Sequence, residues 1–160
     1  MLRKLLILCL LCCVFGSLYS APKSINGKVV AVLDGDTIEV LSQKTLYRIR
    51  ILGIDAPEKK QAFGNQAKSF ASKHAFGKMV KVQIQSQDRY QRHLAQIILP
   101  NGQNLGEMLV KNGYAWHYKQ YSKDKSLARL QVEAQKAKRG LWQDANPVPP
   151  WEFRKSRRRS

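Results

Sequence analysis

The sequence predicts a small α+β domain that is mainly β, a five-stranded barrel carrying three helices. Three observations point there. Five segments of period-two apolar alternation are spaced through residues 25–99. One helical segment interrupts them between the third and fourth. Two further helical segments follow the fifth, and no internal repeat is present.

The first strand is "INGKVVAVL", ended by the turn dipeptide Asp34-Gly35. The second, "TIEVLS", alternates Ile38 and Val40 against Thr37 and Glu39. The third, "LYRIRIL", directs Tyr47, Ile49 and Ile51 one way and Arg48 and Arg50 the other. Residues 62–76 change to a helical stripe of Phe63, Ala67, Phe70, Ala71 and His74, stopped by Gly77. "MVKVQIQ" returns to period two with Val80, Val82 and Ile84, and "LAQIIL" is the fifth strand. "NLGEMLVKNG" is a short helix through Leu105, Met108 and Leu109. "SLARLQVEAQKAKRG" is a longer one, with Leu127, Leu130, Ala134 and Ala137 inward and Gly140 as its stop. This order is that of an OB-fold barrel, an architecture that often presents one face to oligonucleotides.

Residues 1–20 are set apart from the fold. "MLRK" followed by "LLILCLLCCVF" and a small-residue junction near Ser20 has the layout of a secretory signal peptide. It predicts a secreted or periplasmic protein, or a membrane-anchored one if the leader stays uncleaved. Cys9, Cys12 and Cys13 all lie in this leader, so the rest of the chain has no thiol nucleophile, thiolate metal site or disulfide. Residues 21–146 form the expected domain, and 147–160, "PVPPWEFRKSRRRS", read as a Pro-rich, then basic, tail of extended chain.

Charge narrows the function. Lys and Arg number 28 against 11 Asp and Glu, a net +17, or +15 without Arg3 and Lys4 of the leader. Such a balance fits polyanionic partners, nucleic acid or an anionic membrane surface. Yet Asp34, Asp36, Glu39, Asp55 and Glu58 crowd into 25 residues. Asp36 follows the first hairpin turn and Asp55 ends the third strand, so the two can approach. At about 4 Å and an effective dielectric near 20, two carboxylates repel by about 4 kcal/mol. A divalent cation offsets that, and an all-oxygen donor set selects Ca²⁺ or Mg²⁺ over Zn²⁺. The alternative is a turn-forming Asp34 and a loop acid at Asp55.

Pro57 stiffens the "DAPE" corner and aims Glu58 beside that pair, as a general base or as a solvated loop acid. Arg50, on the third strand, and Arg92, entering the fifth, suit the charge that develops on a phosphodiester in its transition state. Taken singly, an arginine is more often a surface residue than a catalyst; what raises these two is their occurrence with paired acids on adjacent strands.

"DGDT", "RIRILGIDAPE", "DRYQRHLA", "LVKNGYAW" and "AKRGLW", in this order over residues 27–142, resemble the staphylococcal-nuclease-like (thermonuclease) family. The resemblance implies an OB barrel and a Ca²⁺-dependent phosphodiesterase that cuts DNA and RNA to 3′-phosphate and 5′-hydroxyl ends. It implies Asp36, Asp55 and the Ala56 carbonyl as metal ligands, and Arg50, Glu58 and Arg92 as catalytic residues. It places Arg89 and Tyr90 against a terminal phosphate, and offers Tyr118 and Tyr121 as candidates for stacking on bases, the alternative being partly exposed tyrosines that cover a helix. Asp34 matches an acid near the metal that is not a principal ligand. Ala56 stands where the best-known member has Thr, and Gln91 replaces a Gly common in this loop. No obligate protein partner is implied, and a monomer is expected. His93 and His74 are expected to be structural, and His117 a weak nucleic-acid contact. Two rivals remain at this point: a noncatalytic OB module, and a membrane-surface protein using its basic tail.

Overall fold

The computed structural model describes residues 23–158. The leader and Arg159 of the tail lie outside the described residues.

Five strands close into a barrel: β1 (Lys23–Val32), β2 (Thr37–Ser42), β3 (Thr45–Ile51), β5 (Met79–Gln87) and β6 (His93–Ile98). Their order around the barrel is β1-β2-β3-β6-β5. All pairs are antiparallel except β3 with β6, which run parallel with Ile49 opposite His93 and Arg50 opposite Leu94. Two short strands form a separate antiparallel pair, β4 (Ile54–Asp55) with β7 (Trp116–His117). This α+β, mainly β barrel is the architecture the sequence predicts.

The barrel interior is the expected alternation: Val29, Ile38, Val40, Ile49, Ile51, Val82, Ala95 and Ile97 are all buried. Outside it, α1 (Gly64–Ala75) buries Ala67, Ala71 and Ala75. Helix α2 (Leu105–Lys111) is capped by the Asn104 side chain, which accepts from the Gly106 and Glu107 amides. Asp124 caps α3 (Lys125–Lys136) in the same way through the Ser126 and Leu127 amides. Helix α3 ends earlier than its pattern predicts: Ala137 is its exposed cap, and Gly140 instead opens a 3₁₀ turn over Gly140–Gln143.

The larger correction is at the C-terminus. Residues 150–157 are not extended chain but a fourth helix, α4 (Pro150–Arg157). Pro150 opens it at a position where the missing N–H costs nothing, and Glu152 lies in its first turn and three basic residues in its last. Trp151 anchors it by stacking flat on Tyr118, with ring centroids 5.2 Å apart and planes 4° apart, and by an edge contact to Trp116. A helix of this length is marginal alone. Its stability comes from these contacts, which local periodicity does not encode.

Candidate active site

Asp36 and Asp55 meet at one end of the barrel. Asp36 precedes β2, in the turn that begins at Asp34-Gly35, and Asp55 lies in β4. Gly35 is required for the approach, because a Cβ there would stand 2.8 Å from the Cβ atoms of both Ala56 and Ala67. The Ala56 amide donates to Asp36 Oδ2 at 2.6 Å, tying the two loops together. The Thr37 hydroxyl donates to Asp36 Oδ1, and the Asp34 carboxylate accepts the Asp36 amide.

One nitrogen holds both acids. Arg50 Nη2 lies 3.1 Å from Asp36 Oδ2 and 2.8 Å from Asp55 Oδ1. Arg50 Nη1 donates to the Ile51 and Ile54 carbonyls. Arg50 is therefore no solvated residue of a polar face; its side chain is 12% exposed and its fork is fixed by four acceptors. Even so, burial dominates the acids' titration. Desolvation, opposed by Arg50 and aided by Asp34, pushes Asp36 up to about 6. Desolvation also raises Asp55, opposed by Arg154 and Arg50.

Glu58 sits on the stiff corner as expected. Its amide donates to Gln61 Oε1, and its carbonyl accepts the Gln61 amide. A Cβ on Gly64 would collide with the Glu58 carbonyl, so that glycine lets α1 start against the corner. The Glu58 carboxylate is partly exposed and receives Arg154 Nη1 at 2.7 Å.

Arg92 is placed at the same end of the barrel by the parallel β3–β6 register, one residue before His93. It does not touch the acid pair. Its Nη2 lies 2.8 Å from Asp88 Oδ2, and its Nε donates to the same oxygen. Asp88 Oδ1 accepts the Tyr90 and Arg92 amides. Burial pushes Asp88 up, but these bonds from Arg92 and Tyr90 outweigh it and hold the carboxyl below its usual range. Asp88 thus fixes the Arg92 fork and the loop that carries it. An Asp followed by turn residues is its signal in the sequence. Gln91 holds a left-handed backbone, with φ 62°, a region that favours glycine. Arg89 donates to the Tyr90 hydroxyl and stacks over its exposed ring.

Tyr118 and Tyr121 pair edge to face at 4.8 Å. Strand β7 carries Tyr118 to the acids, because Asp55 pairs with Trp116 and the Tyr118 amide donates to the Gly53 carbonyl. Burial, then the Asp55 charge, raises the Tyr118 phenol. His117 is no nucleic-acid contact: it is 4% exposed, with Nε2 against Ser122 Oγ. His93 packs on the Tyr47 ring and His74 on the Phe70 ring.

The residue most plainly missed is Arg154. Its Nη2 lies 2.8 Å from Asp55 Oδ2, and its Nη1 reaches both Asp55 Oδ1 and Glu58 Oε1. Burial would lower its basicity, but the hydrogen bonds it donates to Asp55 and Glu58 outweigh that and raise it.

The geometry is that of a basic chain with two buried carboxylates bridged by one guanidinium at a barrel rim. Residues 48–144 match the family model described as staphylococcal nuclease homologue. The chain belongs to that family. It is 49% identical over 130 residues to an uncharacterized endonuclease of Escherichia coli O157:H7, covering 81% of this chain and 85% of the relative. It is 38% identical over 141 residues to a micrococcal nuclease of Shigella flexneri, covering 82% and 81%. It is also 42% identical over 120 residues to a staphylococcal-like nuclease of Arabidopsis thaliana, covering 75% of this chain and 36% of that protein. The nuclease is thus a hydrolase acting on nucleic acid, which removes the noncatalytic and membrane-surface rivals as primary readings.

Among the described residues, no three His, Cys, Asp or Glu side chains cluster closely enough to hold a metal by themselves. The donors present still fit a hard cation in kind. Two buried carboxylates share one arginine nitrogen, both are raised by desolvation, and their surroundings call for positive charge.

Proposed function

We propose that this protein is an exported, Ca²⁺-dependent nuclease that cleaves DNA and RNA to 3′-phosphate and 5′-hydroxyl ends. The observation that carries the reading is the convergence of Asp36, Asp55, Arg50 and Glu58 at one barrel rim. Asp36, Asp55 and the Ala56 carbonyl would hold the ion. When bound, the ion would supply Lewis-acid polarisation of a nonbridging phosphate oxygen.

The protein's own groups do the rest. Glu58 takes a proton from the attacking water at its carboxylate. Arg50, its Nη1 held by backbone carbonyls, places positive charge beside the phosphoryl oxygens, and its Nη2 donors meet them on leaving Asp36 and Asp55. Arg92, oriented by Asp88, adds a second guanidinium. Arg89 and Tyr90 meet a neighbouring phosphate, and Tyr118 and Tyr121 offer ring faces to bases. The net charge, +17 for the whole chain and +15 without Arg3 and Lys4 of the leader, draws the polyanion in. Export rests on the leader, which lies outside the described residues, and a monomer is the proposed state.

The test is incubation of purified protein with plasmid DNA and with RNA, in CaCl₂, in MgCl₂ or in EGTA. Cleavage of both substrates in Ca²⁺ alone is expected, because Mg²⁺ demands a tighter octahedral shell than two carboxylates and a carbonyl supply. The DNA fragments should prime a polymerase only after phosphatase treatment. Undiminished cleavage in EGTA would reject the cation, and fragments that prime directly would reject the 3′-phosphate product.

A further inference from the structure

We propose that α4 is an intramolecular plug of the nuclease site, with Arg154 seated in place of the cation and Trp151 in place of a nucleobase. The inference rests on the proposed roles of Asp55, Glu58 and Tyr118.

Two independent contacts carry it. The first is ionic. Both oxygens of Asp55 are taken by N–H donors: Oδ1 by Arg50 at 2.8 Å and Arg154 at 3.3 Å, Oδ2 by Arg154 at 2.8 Å. A carboxylate lone pair directed at a guanidinium cannot at the same time ligate a metal. A carboxylate has about four lone-pair sites, and Arg154 takes two of the three that are engaged on Asp55, so its fork competes directly with a cation for that carboxylate. Arg154 Nη1 also holds Glu58 Oε1 at 2.7 Å, engaging the carboxylate proposed to meet the attacking water.

The second contact is aromatic. Trp151 lies parallel to Tyr118, which the β4–β7 pairing brings beside Asp55. That is the stacking geometry a base would use on the same ring. One helical turn thus covers both the charged and the aromatic parts of the site.

The plug is built to move. Arg154 is one-third exposed, at the rim of the site rather than sealed within it. The helix has eight residues and hangs from a proline-rich strap, Pro147 to Pro150, pinned at the Val148 carbonyl by Gln61 Nε2. An eight-residue helix holds its shape only through what it touches. Loss of the Arg154 and Trp151 contacts releases it.

The experiment is calorimetric titration of Ca²⁺, without nucleic acid, into wild type, Arg154→Gln and Lys155→Gln. Lys155 is exposed on the same helix and controls for net charge. Arg154→Gln should bind Ca²⁺ about tenfold more tightly than wild type, and Lys155→Gln less than about twofold. Equal or weaker binding by Arg154→Gln would overturn the plug while leaving the cation site intact. Absence of Ca²⁺ binding in every form would instead overturn the proposed cation site, and the plug with it. A second readout needs no change at Arg154. Acrylamide quenching attributed to Trp151, as wild type minus Trp151→Phe, should rise when Ca²⁺ and thymidine 5′-phosphate are added. Unchanged quenching at saturation would show that α4 stays seated and reject the plug.

Discussion

Arg154 Nη2 rests 2.8 Å from Asp55 Oδ2, across 99 residues of sequence. Asp55 is 1% exposed, and burial raises its carboxyl. An unpaired charge there would be costly. Arg50 and Arg154 approach it from the barrel and from the C-terminal helix, and each lowers that cost. The acid pair is thus a place that draws positive charge, and the chain supplies two arginines to it.

Glu58→Gln should leave the fold and DNA binding nearly unchanged, because the amide keeps an acceptor for Arg154. Turnover should fall by about 10²–10⁴-fold, the usual contribution of a general base. Single-turnover cleavage in Ca²⁺ measures this. A rate within a few-fold of wild type would assign the base elsewhere.

Asp36→Asn tests the electrostatics. Asp36 titrates near 6 in the fold against an ordinary 3.8. The folded protein thus binds that proton more tightly than the unfolded chain. Its contribution to stability is fully present below about 4 and is lost as pH rises through about 6. Asparagine carries no such penalty, and its amide can serve Ala56 and Thr37 alike. In metal-free buffer, the melting temperature of Asp36→Asn relative to wild type should climb between pH 4 and 6 and then level off. Added Ca²⁺ at pH 7 should raise the melting temperature of wild type only. A difference that is flat with pH would contradict the burial argument.

Asp88→Ala should act on catalysis through Arg92. Asp88 binds the Arg92 guanidinium and two loop amides, so its loss frees the arginine to sample many orientations. A displacement of about 1 Å at a catalytic group can cost about 10²-fold. Turnover should therefore fall by up to that factor. In the Arg92→Ala background the same change should have little further effect. Additive losses in the double variant would show that Asp88 acts independently.

Gln91→Gly should stabilise the protein. Gln91 holds φ at 62°, a region that costs a residue with a Cβ about 1–2 kcal/mol. Glycine relieves that but loses unfolded-state restriction, so a net gain of up to about 1 kcal/mol is expected. Thermal melts of the two forms decide it, and a lower melting temperature for the glycine form would refute it.

Much of this molecule is determined locally. Strand alternation in 25–51 and 79–98 sets the barrel, since period two allows one buried face per strand. Asp34-Gly35 and Asp55-Ala56-Pro57-Glu58 mark where the chain must turn and which side chains the turns display. Those signals are enough to bring Asp36, Asp55, Arg50 and Glu58 into one reading. Tertiary structure decided the rest. Arg50 looked like one of two arginines on a polar face, yet the β2–β3 pairing and the 54–56 corner enclose it between two buried acids. Residues 150–157 looked like solvated tail, because eight residues opened by a proline carry little helical period. Their helix exists through the stacking of Trp151 on Tyr118 and the ion pairs of Arg154. Propensity and periodicity act over a few residues. Desolvation and ion pairing act between groups that only the closed fold brings together, and these decided which arginines hold the acids.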